Sequence, residues 1–459
     1  MTGIEHTRVR DGGQNTGEHH EAQLQIDRPA QPHVHAPAEG AAPLTLAAAL
    51  APVAALLCSV ALLLMGNGLQ GTLIPVRANL ESFRALELGL LGTAYFFGFT
   101  AGCVHGPALV RRAGHIRAYL AMTSVASGIA LLHPMMVDPV IWWGLRIATG
   151  YCFAVLYIII ESWINERADN RVRGTVFSVY TIVNLTVITL GQLMLGFADP
   201  NSFILFALAS ILVSFAALPV AFTAAAHPKM VERVHPRLRD LASISPVGTA
   251  GCFAVGLANG AFWTLGPVFA SDAGLDTRGI GYFMSAVVLG GAFAQWPLGR
   301  VSDDMDRRFV MLIATAIALG AAIALMIIPQ IDRTSMIIAG AVFGMGAFPL
   351  YPLAVAHAND NARPDQFVEV SSGLLLIFGI GAAIGPLLSS LVRQVMGMPM
   401  LFVFTGAVHL VLIVFILYRM HSRAAPAQAD RTDFADAAIA AATVAQYEPV
   451  PAVEPEPAR

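Results

Sequence analysis

Residues 67–76, NGLQGTLIPV, decide the fold, because almost the same stretch returns at residues 259–268 as NGAFWTLGPV. Six of the ten positions are identical without a gap, whereas composition alone would give roughly one match. The copies lie 192 residues apart, and each lies near the end of the first long apolar segment in its part of the chain. The sequence therefore predicts two related halves that begin with the same kind of helix.

A second set of matches runs from the predicted fourth helix into the fifth at an offset of 194 residues. At this offset Gly150 aligns with Gly344, and Gly191 aligns with Gly385. The two offsets agree if the second half has a two-residue insertion. Both halves are therefore predicted to share one arrangement of helices.

The composition excludes an ordinary soluble domain. Of the 459 residues, 56% are hydrophobic and only 12% are charged, whereas a soluble domain has about 25% charged residues. Twelve apolar runs have about the length that a bilayer requires, so we predict an all-α polytopic membrane protein with twelve transmembrane helices in two pseudo-symmetric six-helix halves. The predicted helices are 48–74, 86–109, 116–136, 139–162, 174–197, 202–224, 247–271, 279–300, 309–329, 335–357, 368–392 and 399–420.

The predicted organisation has five parts. Residues 1–45 and 421–459 are predicted to be disordered tails because they are poor in apolar residues of the kind that form a core. Residues 46–224 and 246–420 are predicted to form the two six-helix halves, joined by a central loop at 225–245.

The distribution of basic residues predicts the orientation in the membrane. Fourteen basic residues lie in the loops on the side of the amino terminus, against five on the opposite side. Basic loops remain in the cytoplasm, so both termini are predicted to be cytoplasmic in a multi-pass protein of the cell (inner) membrane. We expect a monomer whose partners are the lipid bilayer and a small solute, with no nucleic acid.

Several other classes of protein lack support in the sequence. The chain has no phosphate-binding Gly-Lys-Ser loop and no soluble catalytic domain, so it is not expected to be an enzyme. Its four cysteines lie inside apolar segments without metal-ligand spacing, and no cofactor or metal is expected.

Two loop and helix motifs resemble those of the major facilitator superfamily. From Gly299 to Arg308 the chain reads GRVSDDMDRR, which keeps the Gly, the Asp and the Arg pair of the superfamily's loop motif G-x-x-x-D-R-x-G-R-R. In the equivalent loop after the second helix, Val110 stands at the Asp position. Arg146 and Gly150 are similar to the superfamily's fourth-helix motif.

Three shorter stretches resemble the little-characterised YcaD-like branch of the superfamily: ESWIN, QWPLGR and PLYP. Together with the two parallel six-helix halves, the resemblance covers residues 48–420 and implies a transporter fold. Within that fold, the first, fourth, seventh and tenth helices are expected to line a central cavity.

Arg146 is the main candidate for contact with a solute. It lies well inside the fourth predicted helix, about 10 Å from the helix end at 1.5 Å per residue. A guanidinium in lipid is costly, so it must face the interior of the bundle. It binds an anionic solute or takes part in proton coupling, or else it is a structural Arg that is bonded to carbonyls or amides.

The other candidates for a solute site are neutral polar and aromatic residues. A mostly neutral cavity with one Arg suits a small amphipathic or mildly anionic organic molecule. Each Tyr or Trp could instead be a packing or interfacial residue, and each Asn a bond to a neighbouring helix. The predicted set is Asn67, Gln70, Tyr95, Arg146, Asn259, Trp263 and Gln295.

The resemblance also implies contacts that close the cytoplasmic side. Arg111 and Arg112 would meet Glu369, whereas Asp303, in the motif that also holds Arg307, would meet Arg173 or Arg171. The alternative is that these charges only keep the loops in water and set the orientation.

Glu161 lies about 22 Å along the fourth helix from Arg146 and cannot pair with it. A gate or an interfacial ion pair is its first expected role, and proton carriage is the second.

The sequence predicts a secondary active transporter that moves a small organic solute by alternating access. Proton coupling remains open, because no Asp or Glu lies at mid-depth in a predicted helix. The alternative is a non-transporting membrane sensor or scaffold with the same fold, which flux into liposomes would distinguish.

Overall fold

The computed structural model of the chain describes residues 53–167, 173–222, 238–327, 332–363, 366–396, 400–422 and residue 434. These residues belong to one compact unit, residues 45–459, and in the part described they are helical without strands. The predicted amino-terminal tail and nearly all of the predicted carboxyl-terminal tail lie outside the described residues, as does most of the central loop.

Six long helices form the first half. They are α1 (Ala54–Leu80), α2 (Ala85–Ala113), α3 (His115–Met135), α4 (Pro139–Arg167), α5 (Arg173–Leu193) and α6 (Ile204–Ala221). A short 3-10 turn, Met194–Phe197, follows α5.

Six further long helices form the second half, after a short helix at Leu238–Ile244. They are α7 (Pro246–Asp272), α8 (Thr277–Asp304), α9 (Arg307–Ile327), α10 (Arg333–Asn359), α11 (Phe367–Met396) and α12 (Met400–Ser422). In the described part of the chain, 11 of these twelve helices are long and apolar enough to cross a membrane. The remaining helix, α8, has the length of a span and carries charged residues near both ends, from Arg278 to Asp304.

Several helices extend beyond the ends predicted from hydropathy. α2 continues to Ala113 rather than 109, α4 continues to Arg167 rather than 162, and α8 continues to Asp304 rather than 300. Hydropathy detects the edge of the apolar layer, whereas helical hydrogen bonding continues into the polar interface. α10 is interrupted between Ala347 and Leu350, where Pro349 lacks a backbone N–H.

Glycines bring α2 and α4 into contact along their backbones. A Cβ at Gly150 would overlap the carbonyl oxygen of Tyr95, and a Cβ at Gly98 would overlap that of Ile147. Only glycine permits this separation, so the two positions fix where the helices cross.

The second half repeats this crossing between α8 and α10. A Cβ at Gly344 would overlap the carbonyl oxygen of Val287, and a Cβ at Gly290 would overlap that of Ala341. Gly290 is Gly98 shifted by 192 residues, and Gly344 is Gly150 shifted by 194. The two offsets read from the sequence therefore relate equivalent helix crossings.

A second pair of crossings follows the same rule. In α1 and α5 the close contacts are Gly68 to Ile188 and Gly191 to Met65, and in α7 and α11 they are Gly260 to Ala382 and Gly385 to Leu257. The glycine of each Asn-Gly pair therefore serves helix packing.

The described hydrogen bonds between the two halves lie toward one end of the bundle. Asn79 donates to Asp272 across the halves, and the Thr93 hydroxyl donates to the Ala383 carbonyl. The Ser285 hydroxyl likewise donates to the carbonyl of Thr189. We call this end, where α1, α7 and α11 finish, the Asp272 end.

The opposite end is where α2 and α8 finish, with Arg111, Arg112, Arg307 and Arg308 nearby. We call it the arginine-rich end. The ion pairs described for Arg307 and Arg308 there join them to Asp303 on α8, Asp360 just after α10 and Asp306 before α9.

Candidate functional site

Arg146 is held inside the first half by the crossing of α2 and α4. It lies four residues before Gly150, on the same face of α4, so it points toward α2. Its Cζ atom lies 4.3 Å from the centre of the Tyr95 ring. The residue is only 9% exposed, and its buried Nε has no hydrogen-bond partner in the described structure.

The Tyr95 ring connects Arg146 to the first Asn-Gly pair. The side chain of Asn67 on α1 lies within hydrogen-bonding reach of Tyr95. Three of the residues predicted from sequence, on three helices, therefore come together. We define Asn67, Tyr95 and Arg146 as the Arg146 site.

His133 on α3 is a neighbour of Arg146 that the sequence analysis did not single out. It is fully buried, and the charge of Arg146 acts on it electrostatically. Its ring packs between Trp142, at 5.2 Å between ring centroids, and Phe206, at 6.5 Å. The His133 ring is therefore enclosed by aromatic side chains.

The second half has no counterpart of this site at the equivalent positions. Gly340 replaces Arg146 and Val287 replaces Tyr95 when the sequence is shifted by 194 and 192 residues. At Gly340 the ring of Phe283 comes within 2.7 Å of where a Cβ would lie. The helix crossing is therefore duplicated, but the arginine at this crossing is present in the first half and a glycine takes its place in the second.

A guanidinium in this setting can bind an acceptor group. Arg presents donors in a planar fork, and a charge-assisted hydrogen bond in a dry site is stronger than one between neutral groups. Stacking on Tyr95 stabilises the cation without using those donors. In the described residues, no group of three or more His, Cys, Asp or Glu side chains could hold a metal ion.

The remaining predicted solute contacts are spread over α1, α7 and α8. Gln70 is buried with its Nε2 unbonded, and Asn259 is buried with its Oδ1 unbonded. Trp263 stacks on Phe348 at 5.6 Å, and Gln295 is half-buried. No described hydrogen bond, ion pair or ring contact joins these residues to Arg146, so their part in the site remains a prediction.

Asp303 and Arg307, two of the predicted gating residues, belong to one cluster at the arginine-rich end. Arg307 is almost fully buried and donates through Nε to Asp360 at 2.7 Å. Its Nη2 lies 3.4 Å from Oδ1 of Asp303. The backbone N–H of Phe434 donates to the same Asp303 oxygen at 2.9 Å.

The other predicted gating residues lie on α2, α4, α5 and α11. Arg111 and Arg112 are exposed on the last turn of α2, and Glu369 lies half-buried in the first turn of α11. The side chain of Arg173 lies outside what the structure describes. The predicted pairings with Glu369 and with Asp303 remain predictions.

Glu161 lies on the described part of α4 and is fully buried, at 0% exposure. Cys103, Tyr157 and Tyr180 all interact with it electrostatically. Its role in gating or in proton carriage remains a prediction.

A second polar cluster, at the Asp272 end, was not among the residues predicted from the sequence. Arg393 on α11 approaches Asp272 on α7, with 2.5 Å between Nη2 and Oδ2. Asn79 on α1 donates to the other carboxylate oxygen at 3.0 Å. These residues lie 193 and 121 positions apart from Asp272 in the sequence, so spacing gave no signal.

The chain is similar to known proteins over most of its length. The sequence profile described as Major Facilitator Superfamily matches residues 56–371 and 249–453. An uncharacterized MFS-type transporter, YcaD, from Escherichia fergusonii is 25% identical over 368 residues, which cover 80% of this chain and 95% of that relative.

Two solved structures have a similar fold at low sequence identity. The nucleoside transporter NupG superposes with a TM-score of 0.66 at 13% identity, covering 80% of this chain and 98% of that one. A bacterial homologue of the human lysosomal transporter Spinster, in an inward-facing and occupied conformation, superposes with a TM-score of 0.64 at 14% identity. The superposition covers 86% of this chain and 99% of that one.

Proposed function

Because the chain belongs to the major facilitator superfamily and is a multi-pass integral membrane protein, we propose that it is a secondary transporter that moves a small organic solute across the cell membrane. The observation that supports this most directly is the Arg146 site. A buried guanidinium with an unbonded Nε, stacked on Tyr95, is available to a ligand.

The chemistry of the Arg146 site favours a solute with one acceptor group on an organic body. A carboxylate or a polarised carbonyl would receive hydrogen bonds from the guanidinium. The aromatic neighbours, such as Tyr95 and His133, suit an apolar or aromatic remainder. A strongly cationic solute is disfavoured because it would meet a buried positive charge.

We propose alternating access between the two ends of the bundle. In the structure the halves are joined at the Asp272 end. The arginine-rich end would face the cytoplasm by the positive-inside rule. In a state closed to the cytoplasm, Asp303 would meet Arg173 while Arg111 and Arg112 would meet Glu369.

Proton coupling, if present, has its best candidate in Glu161. A carboxyl group that is fully buried beside Tyr157 and Tyr180 can change charge during a cycle more readily than a permanent guanidinium. A pH gradient should then drive accumulation in wild type, and Glu161→Gln should transport without accumulation. Equal accumulation by both proteins would remove Glu161 from this role.

A thermal-shift screen tests the proposed solute class. Purified protein would be heated with a panel of monocarboxylates, neutral amides and amines of matched size. A ligand that binds only the folded state raises Tm. At a ligand concentration of a hundred times Kd, it adds about 2.7 kcal/mol to the free energy of unfolding. We expect hits among the carboxylates and not among the amines.

The matched variants are Arg146→Gln and Arg300→Gln. Arg300 also stacks on an aromatic ring, with its Cζ 4.5 Å from the centre of Trp296, but both residues are exposed. Arg146→Gln should lose the shift while Arg300→Gln keeps it. If both variants keep the thermal shift, Arg146 does not contact the solute. If no solute enters liposomes that contain the protein, the sensor or scaffold alternative is favoured.

A further inference from the structure

Two hydrogen bonds between the halves occupy equivalent places in the repeat. The Thr93 hydroxyl on α2 donates to the Ala383 carbonyl on α11 at 2.7 Å. The Ser285 hydroxyl on α8 donates to the Thr189 carbonyl on α5 at 3.3 Å. Ser285 is Thr93 shifted by 192 residues, and Ala383 is Thr189 shifted by 194. The offsets therefore relate two contacts between the halves, in which each half donates one bond and accepts the other.

A glycine precedes each of these hydroxyls by one helical turn. Gly89 lies four residues before Thr93 on α2, and Gly281 lies four residues before Ser285 on α8. Residues four apart lie on one face of a helix. A glycine followed by a small hydroxyl residue at this spacing allows two helices in a membrane to approach closely. The same face of α2 and of α8 therefore carries both elements of a close contact.

The missing side chains of these glycines are needed at the contact with the other half. A Cβ at Gly89 would lie 2.7 Å from the carbonyl oxygen of Pro386 on α11. A Cβ at Gly281 would lie 2.9 Å from the carbonyl oxygen of Gln192 on α5. Gly281 is Gly89 shifted by 192 residues, and Pro386 is Gln192 shifted by 194. The close approach and the hydrogen bond are thus repeated together.

The two contacts lie at the same depth in the bundle. Thr93 is eight residues after Ala85, where α2 begins, and Ser285 is eight residues after Thr277, where α8 begins. We call the contact of Gly89 and Thr93 with the α11 backbone the α2–α11 clasp. The contact of Gly281 and Ser285 with the α5 backbone is the α8–α5 clasp.

Packing within each half connects its clasp helix to the rest of that half. α2 crosses α4 at glycines 98 and 150, and α8 crosses α10 at glycines 290 and 344, without room for a Cβ. Tightly packed helices move as units rather than deform continuously. A movement of α2 away from α11 should therefore carry the first half with it and also separate α5 from α8.

We propose that the α2–α11 and α8–α5 clasps form one symmetric lock on the Asp272 end, which opens at both faces together. Thr93 and Ser285 are its equivalent hydrogen-bond donors, and Gly89 and Gly281 provide the close approach. The proposal rests on the proposed alternation between two states, but not on the identity of the solute.

Removing either hydroxyl should loosen both faces of the Asp272 end. Thr93→Val and Ser285→Ala each delete one bond and leave a side chain of similar or smaller size. A hydrogen bond between membrane helices typically changes an equilibrium by about threefold. Because one movement breaks both bonds, each variant should raise the open fraction at both faces about threefold, and the double variant about ninefold.

Two pairs of spin labels would report the two faces without a solute. Arg84→Cys and Gln394→Cys are exposed on the α2 and α11 side, and Asn201→Cys and Tyr282→Cys are exposed on the α5 and α8 side. The native cysteines at 58, 103, 152 and 252 would be replaced first. The ratio of long to short distances would be measured for each pair in full-length protein in lipid nanodiscs.

The matched controls are hydroxyls that bond within their own helix. Thr315 on α9 donates to the Met311 carbonyl, and Ser162 on α4 donates to the Ile158 carbonyl. Thr315→Val and Ser162→Ala delete the same groups as the clasp variants. They should leave both distance ratios unchanged.

A stronger perturbation uses the glycines. Gly89→Ala should force α2 away from α11, because the added Cβ has no space against the Pro386 carbonyl. The symmetric lock predicts that the label pair on the α5 and α8 side then also shifts to long distances. Gly320→Ala on α9 is the control, because an added Cβ there meets nothing within 4 Å.

The symmetric lock requires each clasp variant to raise both distance ratios to a similar extent. It is overturned if a variant changes the ratio at its own face alone, or if all the clasp variants equal the controls. If both ratios rise together but no solute enters liposomes, the lock stands and the proposed transport fails. If solute enters while the faces open separately, transport stands and the lock fails.

Discussion

At the scale of single residues, the most informative contact is that between Arg146 and Tyr95. The ring accepts the guanidinium on its face, while its hydroxyl is within reach of Asn67. These two features can be separated by mutation, because phenylalanine keeps the face and loses the hydroxyl.

Tyr95→Phe should therefore bind the solute nearly as well as wild type, whereas Tyr95→Leu should bind it more weakly. A desolvated cation–π contact contributes about 2 kcal/mol, or roughly a thirtyfold change in Kd. Titration calorimetry with a solute found by thermal shift would measure the difference. Equal affinity of both variants would show that the ring serves packing alone.

Gly150 offers a second test at this scale. Gly150→Ala should push α4 away from Tyr95 and displace Arg146, because a Cβ there has no space. Gly144, on the same helix, has nothing within 4 Å of an added Cβ. Gly144→Ala should keep or slightly raise Tm, because alanine stabilises a helix by ~1 kcal/mol relative to glycine.

The measurement is Tm together with solute affinity for each glycine variant. We expect both to fall in Gly150→Ala and affinity to be unchanged in Gly144→Ala. Wild-type affinity in Gly150→Ala would mean that the α2–α4 crossing does not position the site.

At the scale of helices, the cluster of Asn79, Asp272 and Arg393 joins α1, α7 and α11. The Asp272 and Arg393 side chains are about one-fifth exposed, so their attraction is less screened than that of a surface pair. Because Asn79 belongs to the other half, separating the halves at this end must break its bond to Asp272.

Asp272→Asn should consequently weaken closure at the Asp272 end by roughly tenfold in the equilibrium, or ~1.4 kcal/mol. Spin labels at Leu80→Cys and Gln394→Cys, both exposed there, would report a larger fraction of long distances. Glu81→Gln is the control, because Glu81 pairs with Arg77 at the end of α1. A distribution like that of the control would argue against a gate at this cluster.

Most of the helix architecture was predictable from the sequence because apolar length and repeated glycines carry physical constraints. The offsets of 192 and 194 residues relate equivalent helix crossings, because Gly98, Gly150 and their counterparts in the second half must lack a Cβ. Helix ends were less predictable, since α2 and α8 continue past the apolar layer with charged side chains.

The site was predictable only in part. Burial of a lone Arg identified Arg146, but which ring it would meet depended on the crossing of α2 and α4. The Asp272 cluster and the contact of Phe434 with Asp303 join distant parts of the chain. Neither composition nor local spacing indicates which distant residues pair, so these two sets of contacts became visible only in the structure.

At the scale of the whole molecule, the two halves share packing and differ in chemistry. Equivalent crossings pack the helices within each half, whereas Arg146 occurs in the first half and Gly340 and Phe283 fill its place in the second. A repeated scaffold with one asymmetric polar site fits the rocking of two halves about a bound solute.

The two Asn-Gly stretches provide a test of this arrangement. Asn67→Cys and Asn259→Cys, in a background without native cysteines, should react with small water-soluble thiol reagents, because both asparagines are predicted to face a shared central cavity. Added solute should slow both reactions. If neither cysteine reacts under any condition, both asparagines serve helix packing.

The most direct test of the central claim is solute flux into proteoliposomes that contain the purified protein. The solute is the carboxylate that gives the largest thermal shift, supplied outside in labelled form. We expect saturable entry that is lost in Arg146→Gln and kept in Arg300→Gln. Entry no faster than into empty liposomes, or equal entry with Arg146→Gln, would contradict transport through the Arg146 site.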